Sequence, residues 1–212
     1  MINLNTPPSP NLPYAPQEWN AQYQEQLNNV LRLYFNRLSN VNQFLLGMSG
    51  GRFLNNPCGS FFSNSDQSAA STTVAYAITY DVEDIANNVN LSNGSRLNVL
   101  YEGIYNLQFS IQLVNTDSQI HDVDVWAAIN GTDLANSNSR FSVPNSHGGV
   151  DGHLIAALNL FLSMQAGDYV ELYWHTTNTS VSVEHLPSGS SPTRPATPSV
   201  IATMAFVSSI PE

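Results

Sequence analysis

Two short strings in this chain hold the residue types that ligate metals: HDVD at 121–124 and HGGVDGH at 147–153. Imidazole nitrogens and carboxylate oxygens hold a divalent ion when several of them converge at about 2.0–2.5 Å. His147, Asp151 and His153 lie in a glycine-rich stretch, and His121, Asp122 and Asp124 open an apolar run. Both strings read as polar segments facing water, so no metal and no cofactor is expected. Asp81, Glu83 and Asp84 bring carboxylates together in sequence, a chemistry that can cleave glycosides. Asp81 and Glu83 share a strand face only if Val82 points inward, and a solvated turn is the expectation. No G-x-S-x-G elbow, phosphate loop or dinucleotide fingerprint occurs. The chain is expected not to be an enzyme. Tyr169, Tyr173 and Trp174, with His175, form an aromatic run. Exposed rings of this kind stack on sugars, but packing within the fold is the preferred reading.

The elements that must position these groups are alternating apolar runs. They are GIYNLQFSIQLV (Gly103–Val114), VDVWAAINGTDLA (Val123–Ala135), LIAALNLFLSMQAGDYVELYWH (Leu154–His175) and SVIATMAFV (Ser199–Val207). Alternation at period two buries one face and wets the other, which is the pattern of antiparallel strands. Turn signals fall at the run boundaries: Asn93-Gly94, Asn130-Gly131 and Ala166-Gly167-Asp168. Asn and Gly both tolerate the positive φ of a tight hairpin. The pattern predicts that Tyr105, Leu107, Phe109, Val125, Ile129, Leu158, Leu160, Val170, Leu172 and Phe206 form the core.

The order of these motifs resembles the globular heads of the complement and tumour necrosis factor-like family. It begins with Gly103, Tyr105, Leu107 and Phe109. Val125, Ala127 and Ile129 then lead into Asn130-Gly131. Gly167-Asp168 precedes Val170 and Leu172, and Phe206 stands near the end. The resemblance covers residues 60–210 and implies an antiparallel jelly-roll sandwich that assembles as a homotrimer about a threefold axis. Long Ser/Asn/Gly/Pro loops at 136–151 and 187–198 depart from the family, so no apex ligand site is carried over.

Composition narrows the partners. Only 10% of the 212 residues are charged, against roughly 25% in ordinary soluble proteins. The net charge is -10, and every cation is an arginine: Arg32, Arg37, Arg52, Arg96, Arg140 and Arg194. Such a surface repels nucleic acid and anionic membranes. Neutral polar surfaces suit large assemblies, because burying an amide costs less than burying a charge. Cys58 is the sole cysteine, so no intrachain disulfide is possible. The N-terminus has neither a basic region nor an apolar stretch, so no export signal is expected, and no apolar run is long enough to span a membrane.

The first 46 residues differ from the rest. Residues 1–16 are rich in proline and read as an extended docking arm, with Ile2, Leu4, Leu12 and Tyr14 as apolar anchors. Residues 17–46 read as one helix, ended by Gly47, with 47–59 as a hinge before a head at 60–212. Its apolar positions are Trp19, Tyr23, Leu27, Val30, Tyr34, Leu38, Val41 and Leu45, and Leu31, Leu33 and Phe35 widen the stripe. Trp19 and Tyr23 join the docking set. Leu27, Val30, Tyr34, Leu38, Val41 and Leu45 would face sister helices or a partner protein. The string LPYAPQEWNAQYQEQLNNVLRLYFNRL also resembles the N-terminal segments of structural proteins of tailed phages, especially those of cyanobacteria. That resemblance implies a virion protein made in the host cytoplasm, attached by its N-terminus to other virion proteins, with an outward head that can meet a host surface molecule. Tail fibre and head fibre or capsid decoration both fit. The alternative is a free-standing trimeric recognition module for a cell-surface glycan or protein.

Overall fold

The computed structural model describes residues 7–46 and 56–211, which fall into two units separated near residue 55. The N-terminal unit contains one helix, α1 (Ala21–Leu45). It starts four residues later than the sequence predicts, because Asn20 caps it. The Asn20 side-chain oxygen accepts from the Tyr23 amide at 3.2 Å, and its carbonyl accepts from the Gln24 amide. This is the N-cap arrangement that asparagine favours. No described side chain of α1 is fully buried. Residues 8–14 run back along the helix, sharing one hollow with Val30, Leu33, Tyr34 and Arg37 and another with Gln26, Asn29, Val30 and Leu33. No helix among the described residues is long and apolar enough to cross a membrane.

The second unit is mainly β. Its strands begin with β1 (Cys58–Ser63), β2 (Gln67–Ser68), β3 (Tyr76–Ala77), β4 (Val82–Asn87), β5 (Val89–Ser92), β6 (Arg96–Val99), β7 (Gly103–Asn115) and β8 (His121–Ile129). They continue with β9 (Thr132–Asp133), β10 (Ser139–Val143), β11 (Gly152–Met164), β12 (Tyr169–Thr176), β13 (Val181–Val183), β14 (Gly189–Ser190), β15 (Thr193–Arg194) and β16 (Val200–Ser208). The expected boundary at residue 60 moves toward the N-terminus, because Cys58 and Gly59 already pair with Asn87 and Ala86. The rest of the expected hinge, 47–55, lies outside the described residues.

The strand pairings are antiparallel and build two main sheets. One runs β11–β7–β16–β1–β4, with β13 beside β7 beyond the end of β16 and β2 next to β13. The other runs β10–β8–β12–β6–β5, with β3 on β12 and β9 on β8. Consecutive long strands cross between them: β7 lies in the first sheet, β8 and β10 in the second, β11 in the first, β12 in the second and β16 in the first. One core unites the inner faces. Phe61, Leu107, Ile111 and Met204 come from the first sheet, and Leu97, Val125, Leu172 and Trp174 from the second.

Turn chemistry fixes the registers. Asn130 and Gly131 both adopt left-handed backbone, with φ of 51° and 77°. That matches the strand twist across the β8–β9 hairpin. The Asn130 side chain also donates to Asp168 at 2.7 Å and accepts from the Tyr169 amide at 3.1 Å, tying this turn to the one before β12.

Of the expected core, Tyr105, Leu107, Phe109, Val125, Val170 and Leu172 are buried. Ile129, Leu158, Leu160 and Phe206 are only half-buried. Leu158 and Leu160 stand on β11, the outermost strand of the first sheet, where neighbours cover them from one side. Phe109 sits between Leu158 and Ala202 in the ladder and is 4% exposed. Phe109→Ala is expected to cost about 3–5 kcal/mol, read as a lowered urea midpoint at unchanged slope. A loss below about 1 kcal/mol would contradict the register.

Alternation leaves the two outer faces chemically different. On the first sheet the outward residues of the three adjoining long strands form cross-strand rows. Ala157, Ser110 and Ile201 make one, Asn159, Gln108 and Thr203 the next, and Phe161, Asn106 and Ala205 a third. None is charged. Asn106 donates to Asn159 at 2.8 Å, while Phe161 is 66% exposed and Ile201 38%.

Candidate functional site

The outer face of the second sheet carries the charges and rings. On β8 the inward residues are Val123, Val125 and Ala127, so Asp122, Asp124 and Trp126 point outward. On β12 the inward residues are Val170, Leu172 and Trp174, which leaves Glu171, Tyr173 and His175 outside. The register sets Tyr173 opposite Trp126, and the rings stack at 6.0 Å with 20° between planes. It sets His175 opposite Asp124, and Arg140 of β10 opposite Asp124 from the other side. The aromatic run expected to pack inside therefore divides: Trp174 enters the core, while Tyr173 and His175 face out.

Two charge networks follow. The Arg140 guanidinium donates twice to Asp124, at 3.0 and 2.9 Å. The His175 Nδ1 lies 3.6 Å from the same carboxylate, and its Nε2 bonds the Thr72 carbonyl at 2.8 Å. Further along, buried Glu171 accepts from the Ser95 hydroxyl at 2.6 Å and faces Arg96 at 3.5 Å. The Arg96 guanidinium covers the Tyr169 ring at 4.3 Å.

A hollow of about 330 Å³ opens beside Trp126. Asp124 lies beneath it, and Trp126, Leu134, Asp133, Asn136, Asn138 and His175 complete its lining. The indole N–H donates to Asp133 at 2.7 Å, which with the Tyr173 stack fixes the ring in place. Asn136 takes left-handed backbone with φ of 65°. Ser137, between the two asparagines, is buried and bonds Leu134 and Ala127. The segment is therefore anchored at its middle, with Asn136 and Asn138 exposed on either side and the Asn138 side chain bonded to Asp124.

The Arg140 hydrogen bonds beside Asp124 hold its carboxyl below the usual carboxylate range. A depressed folded-state pKa contributes stability that is present above the unfolded value and lost as pH falls through the folded one. Arg140→Ala removes the main cause. Its stability near neutrality, read by urea titration, should be lower than in the unsubstituted protein. Its acid-unfolding midpoint, followed by circular dichroism, should lie at higher pH, and the two proteins should converge once Asp124 is protonated. An unchanged acid limb would show that the pair carries no pH-dependent stability.

The other sequence candidates make local contacts within the fold. His121 bonds Asp117 at 2.6 Å, and this bond holds the Asp117 carboxyl below its ordinary range. Asp122 accepts from the Ser142 hydroxyl. His147 pairs its backbone with Val150, and His153 faces Glu184 at 3.4 Å. Asp81 accepts from the Asn64 amide and the Ser65 hydroxyl, and Glu83 from the Leu91 amide. No group of three or more His, Cys, Asp and Glu converges on a metal position among the described residues.

In the N-terminal unit, Ile2 and Leu4 lie outside the described residues. Tyr14 is fully exposed, Trp19 is 83% exposed and Leu12 about half, whereas Tyr23 is partly covered. Leu27, Val30, Tyr34, Leu38 and Val41 are partly buried and Leu45 is exposed. They share one helix stripe; residues 8–14 lie along it at Val30 and Tyr34, and no described residue of the stripe is fully buried. No known family model and no curated protein matches this chain.

Proposed function

We propose that this protein is a non-enzymatic structural component of a phage particle, a homotrimeric surface appendage anchored by its N-terminal arm and helix. Tail fibre and head fibre or capsid decoration remain equal forms of this reading. The observation that carries it is the state of α1: a 25-residue helix with an apolar stripe and no buried side chain among those described. In water most helical stability comes from packing of such a face, so the stripe calls for a partner surface. The resemblance of residues 12–38 to phage structural proteins supports another virion protein as that partner.

The strand order supports the jelly-roll reading, and the uncharged rows on β11, β7 and β16 support self-association. Amide, hydroxyl and aliphatic groups desolvate at far lower cost than charges. Under this reading that face meets its copies and the charged, aromatic face of the second sheet stays outside. Light scattering on the purified protein should give about three times the 23.2 kDa chain mass. A stable monomer at micromolar concentration would remove the trimer from the proposal.

A second reading, a free-standing recognition module, is favoured by the hollow at Trp126. It predicts a dispensable N-terminus and measurable affinity for a cell-surface ligand.

A further inference from the structure

The hollow on the second sheet combines an apolar wall with planar hydrogen-bonding groups, and the fold uses only part of the capacity of each: Tyr173 stacks on Trp126, Asp133 takes the indole N–H, and the Asn138 side chain bonds Asp124. Trp126 is held rigid from both sides, by the Tyr173 ring and by the Asp133 carboxylate. A pre-positioned indole loses no rotamer freedom when a ligand stacks on it. Leu134 extends the apolar wall. Around it stand Asp133, Asn136 and Asn138, all exposed. Asp133 Oδ1 takes the indole N–H, which leaves Oδ2 as an acceptor.

Charge decides the ligand class. Asp124 is already neutralised by a two-point contact with Arg140, so its carboxylate does not call for a cationic ligand. An anion would meet the exposed Asp133 carboxylate, whose partner, the indole N–H, is neutral. A neutral ligand with an apolar face and a rim of hydroxyls meets neither penalty. Ligand pockets span about 300–1,000 Å³, and at about 330 Å³ this one fits a small ring rather than a large cofactor.

We propose that the hollow binds a neutral pyranose, with Trp126 as the stacking wall and Asp133, Asn136 and Asn138 bonding the hydroxyls. The proposal rests on the recognition reading in needing this face open to solvent. It requires neither a trimer nor the N-terminal unit.

The test uses the full chain and saturation-transfer NMR. The probes are the methyl glycosides of glucose, mannose and galactose, with N-acetylneuraminic acid and choline as charged controls. At least one neutral glycoside should bind, at millimolar affinity, and the charged probes should not. Trp126→Ala should weaken binding at least about tenfold, equal to 1.4 kcal/mol, and Trp126→Phe should retain much of it. Asn138→Ala, at an exposed position outside the core, should weaken it severalfold, which keeps the test sound if Trp126→Ala disturbs folding. Absence of any neutral glycoside signal, binding of choline alone, or full binding by both alanine variants would each overturn the proposal.

Adsorption of the full chain to intact bacteria, before and after periodate oxidation of their surface sugars, separates the two readings. Adsorption abolished by periodate and by Trp126→Ala supports the sugar site. Adsorption that survives periodate keeps recognition but overturns the sugar site. Glycoside binding through Trp126 with no adsorption to any cell would overturn recognition alone.

Discussion

A protein carrying Phe161→Asp together with Ile201→Asp is expected to run as a folded monomer. Both side chains project from the outer face of the first sheet, on either side of the Asn159–Gln108–Thr203 row. Both are substantially exposed within one chain, so aspartate there should leave the sandwich intact. In the proposed assembly each would be buried against a neighbour. An unpaired carboxylate taken out of water costs several kcal/mol, and like charges from other copies would add to this. With 1.4 kcal/mol per tenfold in affinity, two such sites per chain should shift dissociation by several orders of magnitude. Light scattering should then report one chain mass, with an unchanged far-ultraviolet spectrum. A trimer that persisted would move the interface to Leu27, Val30, Tyr34, Leu38, Val41 and Leu45 of the helix.

Under the proposed attachment, removal of residues 1–46 should leave a folded head that no longer joins a phage particle. The second unit has its own two-sheet core, and none of the buried residues of that core comes from the helix. The helix and arm present Leu12, Tyr14, Trp19, Leu33 and Phe35 largely to water. Contacts made by such groups are apolar, so attachment of the full chain should depend little on salt. The measurement is the copy number of the truncated head on purified particles, which should fall to background. Normal occupancy would make the head the docking surface and reverse the polarity of the molecule.

The long strands were legible because their patterns are strict. In β7 inward Tyr105, Leu107, Phe109 and Ile111 alternate with polar or partly exposed neighbours from Gly103 to Leu113. Residues 82–99 were not legible as three strands. Their sequence is Asn- and Ser-rich, and Asn88 breaks the run with a φ of 58°. Asn93-Gly94 was the one signal there. The helix start was placed at 17, where the proline-rich arm ends, whereas the Asn20 cap starts it at Ala21. The hollow was out of reach for a different reason. That Trp126 points outward follows from inward Val125, but its stack on Tyr173 comes only from the β8–β12 register, and Arg140 meets Asp124 only through the β10–β8 register. Asn136 and Asn138 come from a loop that had been read simply as a departure from the family pattern. Pairing across strands, not pattern along them, builds this site.

The place of β16 in the first sheet has a consequence for synthesis. This strand joins β1 to β7, yet it follows both by a long stretch of chain. While a nascent chain stops short of Val200, β7 and β11 can zip together, but β1 and β4 have nothing linking them to that ladder. Contacts this distant in sequence make closure slow. Until the last strand clears the ribosome, Phe61 stays unburied on one side and Leu107 and Ile111 on the other. The emerging protein therefore passes through an interval in which its own half-built sheet offers two sticky edges, and assembly with other copies must wait for its end.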